Sequence, residues 1–329
     1  MKRQWSLIGI LFLLLGIICI AGLWGGSAVL SLNEFIDALL GRGRPVYLTI
    51  LWTLRVPRVL AGILAGIGLS VAGVLLQAVT ANELASPNII GINSGAGFAV
   101  ILFLTFFPLA GALLPLAAFV GAFSAALFIL AMSNRLSGNR VAILLIGIAI
   151  TTLLNAAISF LSLLDEGILA QYNYFTVGSL KSVQLGELLI PLVVIAFCFL
   201  LSMFMAPKLG ILCLGDSAAM ALGVNVKRLR VTALACAAAS AAAVVSYAGL
   251  LGFVGLVVPH ITRRLTGERP VRMLPVSALL GAILVVLADL IGRTLFAPSE
   301  LPVGILMSLI GAPFFLILLF RRKNHAGVL

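Results

Sequence analysis

The ionisable residues that could act chemically are few, and most lie beside apolar segments. The stretch LRVPR places Arg55 and Arg58 at the start of a long apolar run. Arg293 follows Asp289 by four residues in another run, a spacing that suits a local ion pair on one helix face. Guanidinium groups bind carboxylates through two parallel hydrogen bonds, so these arginines are suited to orienting acidic groups.

Residues suited to catalysis or metal binding do not form a recognisable pattern. The sequence contains no nucleophile with a nearby base, no metal-ligand spacing and no phosphate-binding loop. We interpret His260 as a structural histidine and the four cysteines, none in a CxxC pair, as free thiols. We therefore expect no catalytic residue, metal site or cofactor on this chain.

A stripe of uncharged polar residues follows one face of the segment ITTLLNAAISFLS. Thr151, Asn155, Ser159 and Ser162 recur at helical spacing. Hydrogen bonds between helices account for such a stripe without any function. Alternatively, the stripe lines a translocation pathway for a bulky polar solute.

The composition indicates the class of protein that carries these residues. Of the 329 residues, 62% are hydrophobic and 9% are charged, with a mean hydropathy of +1.25. A soluble domain has about a quarter charged residues, so the chain is predicted to be an integral membrane protein, which excludes soluble enzymes and nucleic-acid binding. The apolar N-terminal segment is long for a secretory signal and is interpreted as an uncleaved first span.

The apolar runs predict an all-α bundle of about ten transmembrane helices in one domain, 1–329. About 20 apolar residues cross the hydrocarbon layer. Basic clusters on both sides of 231–258 require two crossings there, with a turn in YAGLLGFVG. Most of the 21 basic residues then lie inside with both termini, whereas LRVPR lies outside. The predicted spans are 6–25, 58–79, 89–108, 112–132, 141–164, 187–206, 230–248, 252–264, 274–296 and 302–320.

The cytoplasmic loop 207–229 interrupts this apolar pattern with a short helix. Asp216 or Ser217 can cap it and Gly223 can end it. Its length and polar ends prevent it from spanning the membrane, and Met220 and Leu222 are expected to be exposed. A short helix of this kind suits docking to another protein.

With these residues in place, the sequence resembles the FecCD-type permeases of ABC importers for iron–siderophores, haem and cobalamin. The loop is similar to that family's GxxxAxxLGV segment, and five further fragments follow in the family's order. They are LRVPRVLAGILAGIGLSVAGVLLQ, NELASPNIIGINSGAG, GFVGLVVPHITRR, LPVSALLGAILVVLADLIGRTL and ELPVGILMSLIGAPFFLILL.

The resemblance implies a type II ABC importer permease with separate partner subunits. Two permeases, identical or paralogous, surround a pathway in the bacterial cytoplasmic membrane, two ATPase subunits bind ATP and Mg below, and an extracytoplasmic substrate-binding protein docks above. The loop helix becomes the ATPase coupling helix, formed by Gly215, Asp216, Ser217, Ala219, Met220, Leu222 and Gly223.

The resemblance also assigns roles to particular residues. Asn82 and Leu84 match the family's cytoplasmic gate segment, although Glu83 stands where proline is usual. Arg55, Arg58 and Arg293 match arginines that meet glutamates of the binding protein.

The implied cargo is a ferric siderophore, with haem or cobalamin as alternatives. The residues, taken without the resemblance, leave two rival functions to consider. A self-sufficient secondary transporter should carry an ionisable residue near midmembrane, and an intramembrane enzyme should carry a polar catalytic cluster.

Overall fold

The computed structural model describes residues 2–88, 91–135 and 140–326, and within these ranges the chain is helical with no strand. Ile89 and Ile90, at the start of the predicted span 89–108, lie outside the described residues, as do both chain ends. The α-helices are α1 Lys2–Trp24, α2 Leu32–Leu39, α3 Pro45–Leu48, α4 Val56–Thr80, α5 Ile92–Phe106, α6 Leu114–Arg135, α7 Arg140–Ser162, α8 Glu166–Val177, α9 Leu189–Leu212, α10 Asp216–Ala221, α11 Val226–Ala248, α12 Val254–Thr266, α13 Pro270–Thr294 and α14 Val303–Ala326.

Ten of these helices account for the predicted membrane crossings. Seven helical segments are long and apolar enough to span a bilayer by themselves, and α5 and the Val303–Leu318 part of α14 are shorter apolar helices. The tenth, α12, has only 13 residues and is separated from α11 by residues 249–253. The expected turn in YAGLLGFVG is therefore present, and the all-α, ten-helix fold is confirmed.

The helix that contains the predicted second span, 58–79, begins earlier than the sequence predicted. Helix runs without interruption from Pro45 to Thr80 because a π-helical segment, Thr49–Arg55, joins α3 to α4. This wide turn places Arg55 and Arg58 inside a continuous helix rather than at its start. We call the end of the bundle that carries these arginines the outer end, because most basic residues lie at the opposite end.

Helix α4 lies at the centre of the bundle, against α13, α11, α12 and α9. Lipid provides no hydrophobic drive for helix association, so close packing requires small residues at the contacts. A Cβ on Gly66 would lie 2.2 Å from the backbone of Gly281 on α13, and one on Gly73 would lie 2.0 Å from the Gly255 carbonyl on α12. The glycines thus let the backbones touch and fix the register of α4 against its neighbours.

Replacing Gly66 by valine should therefore force α4 and α13 apart. We expect a loss of about 1–3 kcal/mol in the free energy of unfolding, the usual range for overpacking a tight contact. Thermal unfolding of the purified chain in detergent measures the effect. Gly16→Val on α1 is the matched control because no atom lies within 4 Å of its added Cβ. Equal stability of the two variants would contradict the packing argument.

Candidate functional site

The three arginines of interest converge at the outer end of α4 and α13. Arg55 ends the π-helical segment, Arg58 lies on the first turn of α4, and Arg293 lies on the last turn of α13. Their exposed fractions are 4%, 7% and 3%, respectively. The guanidinium groups are thus buried inside the chain, not displayed on its surface.

Arg58 forms the centre of a buried ion network. Its Nε donates to both carboxylate oxygens of Asp289 at 2.9 Å, and its Nη1 donates to Glu300 Oε2 at 2.8 Å. Asp289 also lies 3.5 Å from Arg293 Nε, so the local pair expected from the i, i+4 spacing exists but is the longer contact. The stronger partner of Asp289 comes from another helix.

Arg55 and Arg293 donate hydrogen bonds to backbone carbonyls at the end of α1 and just after it, and neither pairs with a further acidic side chain among the described residues. Arg55 donates to the carbonyls of Leu23, Trp24 and Ala28, and Arg293 donates to the carbonyl of Gly22. The last carbonyls of a helix have no partner within it, and cations stabilise that end. The two arginines therefore anchor α1 and the segment after it to α4 and α13.

A cavity of about 130 Å³ lies beside this network, open to the outer end. Its charged lining residues are Arg55, Arg58, Lys181, Arg293 and Glu300. Partial burial alone would raise the pKa of Glu300, but the hydrogen bond and charge of Arg58 outweigh this effect and lower that pKa below its ordinary value. Basic groups still outnumber acidic ones, so the cavity favours an incoming carboxylate.

The structure brings the predicted docking arginines together and gives them intramolecular partners. Whether they also meet a binding protein stays a prediction. Sequence reasoning missed Glu300 and Lys181 as members of this site. Arg58 and Glu300 are 242 positions apart, and no local spacing signals their contact.

The short helix predicted in the cytoplasmic loop is present as α10, and its role in coupling to an ATPase stays a prediction. It ends as expected, with Gly223 in a left-handed conformation at φ 76°. Its start differs, because Gly215 occupies the N-cap position and Asp216 accepts from Arg230 at 2.8 Å. Met220 and Leu222 are exposed at 61% and 63%, whereas Ala219 is buried. Neither Asp216 nor Ser217 caps the helix, contrary to the expectation from sequence. The helix is anchored to α11 and presents exposed apolar side chains.

The predicted gate segment follows α4 at the inner end. Asn82 Oδ1 accepts from the Leu84 backbone N–H at 2.9 Å, which closes a tight turn. Glu83, the departure from the family pattern, pairs with Arg263 of α12 at 3.0 Å. Arg263 also donates to Gln77 of α4 at 3.1 Å. This contact between the gate segment and α12 was not foreseen from sequence.

The predicted pathway residues lie on α7. Asn155 and Ser159 are exposed, and Thr151 and Ser162 are half-buried. Ser159 and Ser162 donate to carbonyls of their own helix. Among the described residues, neither serine makes an interhelical hydrogen bond. Asn155 and Ser159 face outward, whereas the Thr151 hydroxyl is buried within the chain beside Gly91.

A bundle of long apolar helices around a central glycine-lined helix, with a short helix at its inner end, defines a multi-pass membrane protein. A model of the FecCD transport family matches residues 12–321. The chain belongs to this family, which confirms the resemblance noted in the sequence.

Curated relatives extend over most of the chain. It is 37% identical over 324 residues to the Fe(3+)-citrate import system permease protein YfmE of Bacillus subtilis, covering 97% of this chain and 96% of the relative. It is 38% identical over 278 residues to the hemin transport system permease protein HmuU of Yersinia pestis, covering 83% of each. It is 36% identical over 279 residues to the vitamin B12 import system permease protein BtuC of Vibrio cholerae, covering 84% of this chain and 83% of the relative.

A solved structure shares the fold. An inward-facing conformation of a metal-chelate type ABC transporter superimposes with a TM-score of 0.86 at 30% identity, covering 96% of this chain and 99% of that one. The bundle is thus that of an ABC transporter permease.

Proposed function

We propose that this chain is the membrane-spanning subunit of an ATP-driven importer that carries a ferric siderophore inward by alternating access. The observation that carries the proposal is the family match over nearly the whole chain, together with relatives named for iron-chelate import. Haem and cobalamin are the alternative cargoes, because relatives named for hemin and vitamin B12 have about the same sequence identity to this chain as the iron-citrate relative.

The exposed face of α10 supports an ATPase partner. Met220 lies on α10, Leu214 and Leu222 flank it, and all three side chains are exposed. This helix is too short to fold alone, and the Asp216–Arg230 pair holds it on the bundle. Burying such side chains in a groove stabilises a complex by roughly 1.5–3 kcal/mol each. ATP and Mg would bind to that partner, and α10 would convert its motion into movement of the permease.

The α7 stripe supports a second permease subunit, either a copy or a paralogue. Asn155 and Ser159 are exposed on a membrane-spanning helix, and polar groups facing lipid are unfavourable. Pairing α7 with a second subunit would place the stripe along a shared pathway. The Asn82–Leu84 turn would then control its cytoplasmic end, with the Glu83–Arg263 pair tying this turn to α12.

The outer cavity supports docking of a soluble substrate-binding protein. An acidic side chain of that protein would enter the cavity towards Arg58 and Arg293, while Lys181 at the rim attracts it. Lys181 is the exposed cation of this site, and an exposed ion pair contributes only about 0–1 kcal/mol, so Lys181 would serve orientation and capture more than affinity. The buried arginines also stabilise the fold. Replacing them with acidic residues would therefore disturb both the folding of the chain and the docking of the binding protein.

Docking is therefore best tested at Lys181. We expect Lys181→Glu to weaken binding of the cognate binding protein by up to about fivefold, with folding unchanged, because the side chain is exposed. Surface plasmon resonance on the reconstituted permease measures the affinity. Arg42→Glu, in an exposed loop that does not line the cavity, is the matched control. Equal affinities of the two variants would remove the cavity from the docking surface.

Uptake in proteoliposomes tests the function as a whole. The chain is reconstituted with candidate ATPase and binding proteins, and entry of ⁵⁵Fe-siderophore, haem or cobalamin is followed with and without ATP. We expect ATP-dependent uptake of the iron chelate. Uptake driven by an ion gradient without the ATPase would instead establish a secondary transporter, and ATP-dependent entry of only haem or cobalamin would reassign the cargo.

A further inference from the structure

A groove of about 380 Å³ opens at the inner end of the bundle, between the last turns of α9 and the first turn of α11. Its α9 wall is apolar, with Leu201, Phe204 and Met205, and it ends on Lys208. Its α11 wall carries Asn225 and Arg228. The groove thus joins an apolar surface to two basic side chains, Lys208 and Arg228.

The apolar wall continues an exposed stripe that follows the length of α9. Leu189, Val193, Phe197, Leu200 and Phe204 lie on one helix face, with exposed fractions from 61% for Val193 to 79% for Phe204. Lys208 is the next residue on this face, one turn beyond Phe204. At 1.5 Å per residue, Leu189 and Lys208 are roughly 28 Å apart along the axis. The hydrocarbon layer is about 30 Å thick, so the stripe matches its depth and Lys208 lies at the headgroup level.

The two basic side chains are not neutralised by the chain itself. Lys208 and Arg228 are both exposed, and in the part of the chain that the structure describes neither has an ion-pair partner. Arg230, two residues further on, is by contrast paired with Asp216. Cations at the cytoplasmic interface attract anionic headgroups, and pockets of this kind between helices hold them.

We propose that this groove binds one anionic phospholipid from the inner leaflet. Its phosphate would lie between Lys208 and Arg228, and one acyl chain would follow Phe204 and the apolar stripe of α9. Gly223 and Val224, which connect α10 to α11, form part of the same groove. The bound lipid would therefore support the base of α10. This proposal depends only on the membrane-spanning fold. It is the same whether the protein transports a siderophore, haem or cobalamin.

Native mass spectrometry of the full chain, exchanged into mixed micelles with phosphatidylglycerol or phosphatidylcholine, tests the proposal. We expect phosphatidylglycerol to be retained in preference to phosphatidylcholine. Each interfacial cation contributes about fivefold to anionic-lipid binding, so Lys208→Gln with Arg228→Gln should weaken it by about 25-fold. Lys208→Arg with Arg228→Lys should retain it.

The matched control removes two exposed cytoplasmic cations outside the groove, Lys227→Gln with Arg269→Gln. Retention of phosphatidylglycerol by the groove variant at the level of this control would overturn the proposal, as would equal retention of the two lipids by the unmodified protein. A photoreactive amino acid at position 204, activated in membranes that contain the assembled protein, should label phospholipid. Adducts with an ATPase or a second permease instead would show that protein covers the groove.

Discussion

Replacing Asp289 by alanine should lower the free energy of unfolding by about 3–5 kcal/mol, the range found when one partner of a buried ion pair is removed. Asp289 accepts two hydrogen bonds from Arg58 and lies beside Arg293, and all three side chains are at least nine-tenths buried. Without the carboxylate, two guanidinium charges would share a poorly hydrated space. Their repulsion would also loosen the attachment of α1, because Arg293 holds the carbonyl of Gly22.

Thermal and denaturant unfolding of the purified protein measure this loss. Asp37→Ala, which removes an exposed carboxylate at the outer end, is the control and should change stability little. Asp289→Asn should fall between the two, since it keeps a hydrogen-bond acceptor but not the charge. If Asp289→Ala were as stable as the control, the contacts of Asp289 with Arg58 and Arg293 would contribute nothing to the stability of the fold.

The second large effect concerns α10, where Met220→Glu with Leu222→Glu should abolish ATP-driven uptake. Both side chains are exposed, so the variant should fold and insert normally. In the proposed complex they enter an ATPase groove, and replacing two buried apolar groups with charges would cost more than about 3 kcal/mol, over 100-fold in affinity. Co-purification of the ATPase and uptake in proteoliposomes both report the loss.

Leu39→Glu with Leu40→Glu, an exposed apolar pair at the outer end, is the matched control for ATPase binding. It should leave co-purification of the ATPase unchanged. A Met220/Leu222 variant that still bound the ATPase and transported normally would exclude α10 as the coupling element.

Much of the fold could be predicted because it depends on local properties of the chain. Runs of about 20 apolar residues identify membrane helices, and the basic clusters on either side of residues 231–258 required the break that lies at residues 249–253. The four-residue spacing of Gly62 and Gly66 is typical of a close helix contact, although only the structure shows that the partner is α13. The end of α10 at Gly223 was likewise readable, since left-handed backbone favours glycine.

The surroundings of the arginines could not be read in this way. Their types and positions were evident in the sequence, but their partners come from α1, α13 and the segment before α14, far away along the chain. The wide π-helical turn before Val56 also altered where the second helix begins, and no periodic pattern announces such a turn.

The sequence by itself thus determined the membrane-spanning class, the number of crossings and the residues able to carry charge, because hydropathy and spacing are properties of short segments. Only the tertiary structure decided that Arg58 binds Asp289 and Glu300, that Glu83 binds Arg263, and that Lys208 and Arg228 border one groove. The physical reason is that the environment of a charge is set by the helices packed around it, and close glycine contacts fix that packing between residues distant in sequence.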